Sequence, residues 1–89
     1  MEKSFKITTS EGLHARPATL LVSSVSPFTA SVELLYNNKS VNLKSIMGVM
    51  AQAIPVGALV TISANGADAE ELISKVTEVI ISQGLGEEC

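Results

Sequence analysis

The 89-residue sequence predicts an α+β fold, an open-faced two-layer sandwich of element order βαββαβα with four strands and three helices. Two observations carry this. The apolar period switches repeatedly between two and about 3.6, the mark of alternating strands and helices. Every strand alternates apolar and polar residues while every helix carries one apolar stripe, so the helices cover one sheet face and leave the other wet.

Taken in order, Phe5 and Ile7 alternate with Lys6 and Thr8 as the first strand, and Glu11-Gly12 turns the chain. From Pro17 onward Ala18, Leu21, Val22 and Val25 recur at i, i+3, i+4 and i+7, the stripe of a helix that stops near Ser26-Pro27. Leu20 falls off this stripe and is expected at the surface. Val32, Leu34 and Tyr36 form a second strand, Asn37-Asn38 supplies left-handed turn residues, and Lys39 to Leu43 return as the third. A short amphipathic segment, KSIMGVMAQAI, spans Lys44 to Ile54, with Ser45 as N-cap and Pro55-Val56-Gly57 as the stop. Gly48 weakens it by propensity. Leu59 to Ala64 alternate as the fourth strand and Asn65-Gly66 turns. In the last helix Asp68-x-x-Glu71 predicts a capping box, Ala69, Leu72, Ile73, Val76, Val79 and Ile80 form the buried stripe, and Gly84 closes it.

Residues 1–89 make one domain without linker or repeat. Aromatics are only 3% of the chain, so aliphatic side chains must build the core. A formal charge of −3, with Glu87 and Glu88 near the end, argues against nucleic acid or a basic membrane-binding face. No apolar run approaches the roughly 20 residues of a membrane span, and the alternating N-terminus is a poor signal peptide. The expected location is the cytoplasm, without membrane insertion. Cys89 lacks a partner cysteine and is expected in a frayed tail.

The chemistry concentrates in GLHARPAT, residues 12–19, which holds the chain's lone histidine, His14, and lone arginine, Arg16. Pro17 suits the first helical turn, where a missing N–H costs nothing, and it biases Arg16 away from helical angles. His14 therefore lies on the loop leading into that helix, where free N–H groups and the positive dipole end attract anions. Arg16 adds a forked cationic donor for phosphate oxygens. A neutral imidazole nitrogen is a nucleophile near physiological pH, so His14 is either a phosphoryl acceptor or an idle loop residue. No Walker loop, dinucleotide fingerprint, metal set or serine-nucleophile elbow accompanies it, and Glu11 reads as a solvated turn residue more readily than as a base. The expected protein needs no cofactor or metal and is not itself an enzyme: it holds phosphate and leaves catalysis to other proteins.

GLHARPAT together with VNLKSIMGVM, residues 41–50, resembles HPr, the histidine-containing phosphocarrier family of the bacterial phosphoenolpyruvate-dependent sugar phosphotransferase system (PTS), and most closely its Gram-positive form. The resemblance implies four antiparallel strands under three helices, the order already derived. It implies that enzyme I phosphorylates His14 on Nδ1, that phospho-His14 donates to enzyme IIA domains of sugar permeases, and that Arg16 steadies the phosphoryl group. It further implies that Ser45 is a regulatory site for HPr kinase/phosphorylase, after which the protein becomes a corepressor of catabolite control protein A. By residue type alone Ser45 is only an N-cap, and both roles are compatible. Ile46, Met47 and Met50 resemble the family's docking patch, with Leu20 a further contact, although the helical spacing assigns at least one of them to the core. AQAIPVGA, residues 51–58, departs from the common Gram-positive pattern and bears on partner preference. A monomer is expected. Two rivals stand beside the carrier: an HPr-like regulatory domain without sugar phosphotransfer, which characteristically lacks the histidine, and a purely structural interaction domain.

Overall fold

Alternation along EKSFKI puts Phe5 and Ile7, both fully buried, on one side of a strand and Ser4 and Lys6 on the other. The same rule holds for each long strand in the computed structural model, which describes residues 1–89. Its elements are β1 (Glu2–Ile7), α1 (Arg16–Val25), β2 (Ser31–Tyr36), β3 (Lys39–Asn42), α2 (Ile46–Ala51), β4 (Leu59–Asn65), α3 (Ala69–Ser82) and β5 (Gly86–Glu88). The sheet has the order β3-β2-β4-β1-β5, and every neighbouring pair is antiparallel.

The predicted two-layer sandwich is present. Val32, Leu34, Val60, Ile62 and Ala64 join Phe5 and Ile7 beneath the stripes of α1 and α3, forming one core that is aliphatic apart from Phe5. On the opposite face Ser4 and Thr61 sit across from one another, their hydroxyls 2.9 Å apart, and Lys6 and Glu33 are exposed. Asn37 and Asn38 both take positive φ, 54° and 66°, the type I′ geometry that suits a two-residue hairpin.

A fifth strand is the first departure from expectation. The tail is not frayed: the Cys89 N–H donates to the Ser4 carbonyl, and Lys3 Nζ lies 2.6 Å from Glu88 Oε1. The outer edge of β1 offers unpaired backbone groups, and the end of α3 aims the chain along it. At that end Gly84 adopts φ 68°, its N–H donates to Ile81, and the Leu85 N–H reaches back to Ile80, the paired bonds of a Schellman cap. Leu85 and Ile80 are both buried, completing the cap's hydrophobic contact.

The second departure is at the start of α3. Asp68 is the N-cap, yet its carboxylate makes no cap bond. It accepts instead from the Thr29 N–H (2.9 Å), the Thr29 hydroxyl (3.2 Å) and the Ala30 N–H (2.8 Å), tying α3 to the loop before β2. Two orphan donors of a neighbouring loop outcompete the helix's own because the packing brings them within reach. The backbone bond from Thr29 is the main cause holding the Asp68 carboxyl below its ordinary value of 3.8, and partial desolvation opposes it.

The loop between β1 and α1 is held by four backbone hydrogen bonds. The Leu85 carbonyl accepts from both Thr8 and Thr9, the Thr9 carbonyl accepts from Gly12, and the Leu13 N–H donates to the Ile54 carbonyl at 2.9 Å. Gly12, at φ 66°, lies so close to Ile54 that a Cβ would fall 2.3 Å from that carbonyl oxygen.

Two predictions follow from these ties. Because the folded Asp68 pKa is depressed, its stabilisation is complete above the ordinary carboxylate range and disappears as pH falls through the folded value. A carboxyl-carbon NMR titration should place the Asp68 midpoint below 3.8, and the melting-temperature deficit of Asp68→Asn should shrink as pH drops below 4; a constant deficit would contradict the assignment. Gly12→Ala should lose about 1–2 kcal/mol from backbone conformation alone, hence at least about 4 °C in Tm, and should speed exchange of the Leu13 amide. An unchanged Tm with a protected Leu13 amide would refute the contact.

Candidate functional site

The short polar stretch Thr8–Ala15 leaves β1 at its C-terminal end and delivers His14 to the start of α1. Burial on both sides of the histidine sets its place. Leu13 is wholly buried before it, and Pro17 and Ala18 are buried after it. His14 itself is half-exposed, and no protein group hydrogen-bonds its ring.

The sequence reading placed the break from helical geometry at Arg16, and the structure moves it one residue earlier. Arg16 and Pro17 are the first two helical residues, while Ala15 is the N-cap, at φ 49° and ψ −119°. The restriction that proline imposes on its predecessor is a bias that packing overrides. With Leu13 bonded to Ile54 and Pro17 sunk into the core, the turn between them falls on Ala15, whose small side chain limits the cost.

This arrangement leaves the N-terminus of α1 open. Ala15 supplies no side-chain cap, and no acidic residue occupies the first turn. The first backbone bond of the helix runs from the Thr19 N–H to the Ala15 carbonyl, 3.0 Å, and the Thr19 hydroxyl donates to the same oxygen at 3.1 Å. Pro17 has no N–H, so the backbone donors of Arg16 and Ala18 remain without helix partners and are available to an anion. Arg16 is exposed and belongs to neither ion pair of the protein, Lys3–Glu88 and Lys75–Glu78. Its guanidinium is therefore uncommitted. A half-exposed imidazole, two free amides and an unpaired guanidinium within residues 14–18 can hold a phosphoryl group facing solvent. Glu11 is exposed on the preceding turn and bonds to none of them.

The second motif forms its own corner beside the first. Ser45 precedes α2 in extended conformation and its Oγ accepts from the Gly48 N–H at 3.0 Å, so the predicted N-cap is present. Ile46, Met47 and Met50 are 39%, 78% and 37% exposed. The expectation that one of them enters the core is corrected, because α2 has only six residues and its single inward position is taken by Val49. Leu20 is corrected in the other direction. It is half-buried and packs against the core, since the buried face of α1 is widened by Pro17 and Ser24 beyond the four-residue stripe. Helices α1 and α2 touch, and Leu13 bonds to Ile54, three residues beyond the end of α2, so the His14 loop and the exposed apolar patch share one end of the molecule.

Sequence reasoning missed the Ala15 conformation and the Leu13–Ile54 bond, although Gly12 in a tight turn was a legible sign of a close backbone approach. It also missed Lys44, whose ammonium donates to the Phe28 carbonyl at 2.7 Å.

Comparison with known proteins agrees with this geometry. Residues 1–82 match the family model for the PTS HPr component phosphorylation site. The histidine-containing phosphocarrier protein of a Mycoplasma is 42% identical, with 97% of this chain and 98% of that one aligned at a TM-score of 0.93. The phosphocarrier HPr of Bacillus anthracis is 38% identical over 89% of this chain and 94% of its own, at 0.82. Crh, the catabolite repression HPr of Bacillus subtilis, solved as a swapped, intertwined dimer, is 38% identical over 88% and 90% at 0.72. With a family match across 82 residues, these neighbours and a histidine at an open helix terminus, the chain belongs to the HPr phosphocarrier family of the phosphotransferase system.

Proposed function

We propose that this protein accepts a phosphoryl group on His14 Nδ1 from phospho-enzyme I and passes it to enzyme IIA domains of sugar permeases. The observation that carries the reading is the uncapped start of α1, whose free Arg16 and Ala18 amides and unpaired Arg16 side chain follow directly on a half-exposed histidine. In the first step the Nδ1 lone pair attacks phosphorus, a P–N bond to His14 forms, and the bond to the donor breaks with its electron pair leaving on the donor. The second step reverses these roles with the acceptor. The phosphoryl oxygens carry about −1.5 to −2 charge and gain from the helix end and the guanidinium. Since the loop is open to solvent, the group is steadied without being enclosed, which suits a carrier that must release it.

Ser45 is the proposed regulatory site, phosphorylated from ATP by HPr kinase/phosphorylase to create the corepressor form for catabolite control protein A. Support comes from its place as N-cap beside the exposed Ile46, Met47 and Met50. Phosphate there is compatible with the positive end of α2 and changes the charge of an apolar docking surface. The several partners of such a carrier fit a methionine-rich patch. The carrier is proposed to act as a cytoplasmic monomer; no helix is long and apolar enough to cross a membrane.

A purely regulatory role, suggested by the similarity to Crh, is disfavoured by the retained His14 and Arg16. Incubation with enzyme I and phosphoenolpyruvate should add one acid-labile phosphoryl group that is absent in His14→Ala, and an unmodified parent mass would leave the regulatory reading standing. Arg16→Ala should slow transfer by about 10- to 100-fold, the worth of one charge-assisted contact. With ATP and the cognate kinase, an acid-stable phosphate should appear and vanish in Ser45→Ala, which also loses about 1 kcal/mol of stability with its cap. Persistence of that phosphate in the variant would overturn the Ser45 assignment.

A further inference from the structure

The one cavity of the protein lies away from His14, between strand β3 at the sheet edge and helix α2. It is an open cleft of about 410 Å³, lined by Lys39, Ser40 and Val41 on the strand and by Gly48, Ala51 and Gln52 on the helix side. The small residues Gly48 and Ala51 keep the helix wall low, and no acidic residue lines it.

β3 is the outermost strand on this side. Its pairing fixes which backbone groups are free. The Leu43 N–H donates to Val32, and the register pairs Val41 with Leu34 and Lys39 with Tyr36 across the two-residue turn. Hydrogen-bonded pairs recur every second residue of an antiparallel ladder, so the N–H and C=O of Ser40 point away from β2, toward the open edge. A strand offering such a pair is a template for another extended chain.

The side chains around it are donors. Lys39 carries an ammonium that belongs to neither ion pair, and Gln52 Nε2 is buried without an acceptor, the one such side-chain atom in the protein. A buried amide without a partner is costly, and a ligand oxygen brought into the cleft can meet it after a small side-chain rotation.

From this juxtaposition we infer that the β3–α2 cleft is a docking site for an extended, acidic peptide segment of a partner protein, which adds as a strand to β3. Its backbone exchanges two hydrogen bonds with Ser40, and a carboxylate meets Lys39 and Gln52. A peptide is favoured over a free small anion because Ser40 presents an unpaired acceptor as well as a donor, and a bare anion satisfies only the donor. The inference does not depend on phosphorylation of His14 or Ser45.

The test titrates the full chain, labelled with ¹⁵N, with three probes: acetyl-EVEVEV-amide, acetyl-KVKVKV-amide and citrate. The acidic peptide should shift the Ser40 amide and the Gln52 side-chain NH₂ saturably and should slow hydrogen exchange at the Ser40 N–H. The lysine peptide should do neither. Lys39→Glu should weaken binding about tenfold, the loss of one charge-assisted contact. Ser40→Pro removes the outward N–H, a change an edge strand accepts, and should abolish the Gln52 shift while leaving the thermal melt intact, whereas Ser40→Ala, which loses only the hydroxyl, should keep it. If that variant does not fold, exchange protection of Ser40 in the parent decides the matter. No shift around the cleft with the acidic peptide, shifts without Ser40 protection, or citrate matching the peptide in affinity would each overturn the inference.

Discussion

The contact between Gly12-Leu13 and Ile54 is the constraint on which the functional end of this molecule depends. A single backbone hydrogen bond, with a glycine pressed against the same carbonyl, joins the loop after β1 to the chain leaving α2. Those segments lie about 40 residues apart in sequence, yet both must be placed before His14 has a position. Once Leu13 is pinned and Pro17 is buried, only Ala15 is left to make the turn, and its positive φ records that compression. The histidine thereby gains a defined place without any hydrogen bond of its own, and its ring remains free to react.

The same economy appears elsewhere. With so few aromatic residues the core is a close-packed aliphatic layer, and the loops above it are tied across by single polar side chains. Asp68 grips the loop before β2 with three bonds, and Lys44 reaches the Phe28 carbonyl in that same loop. Each tie satisfies backbone donors or acceptors that no regular element serves. Helix α2 is the exception to the apolar-inside rule: it turns Val49 inward and leaves an isoleucine and two methionines outside. Such an exposed apolar group is the surface to which partner docking is proposed.

The two ends of the sheet are treated differently. On one side the Schellman cap of α3 aims the chain into β5, which covers the edge of β1 and is joined to it by the Lys3–Glu88 pair. On the other side β3 remains free, beside a cleft rich in donors. An edge closed by the chain itself and an edge left open are distinct physical situations, since only the second offers unpaired backbone to another chain.

Much of this was legible in residue order alone. Residue pattern determined the order of the first seven elements, the Asn37-Asn38 turn, the capping by Ser45 and the closure at Gly84, because each depends on neighbours within a few residues. The pairing of the lone histidine with the lone arginine ahead of Pro17 determined the candidate site for the same reason. Tertiary structure decided what local rules leave degenerate. Asp68 could cap its own helix or bind elsewhere, and packing placed the Thr29 and Ala30 amides within its reach. The tail could fray or pair, and the open edge of β1 chose pairing. Leu20, expected at the surface, is half-buried, and none of Ile46, Met47 and Met50 enters the core as one was expected to, because burial depends on which surfaces meet and periodicity specifies only a helix's own faces. The exact torsion at Ala15 came last of all, set by two anchors that no local stretch of sequence contains together.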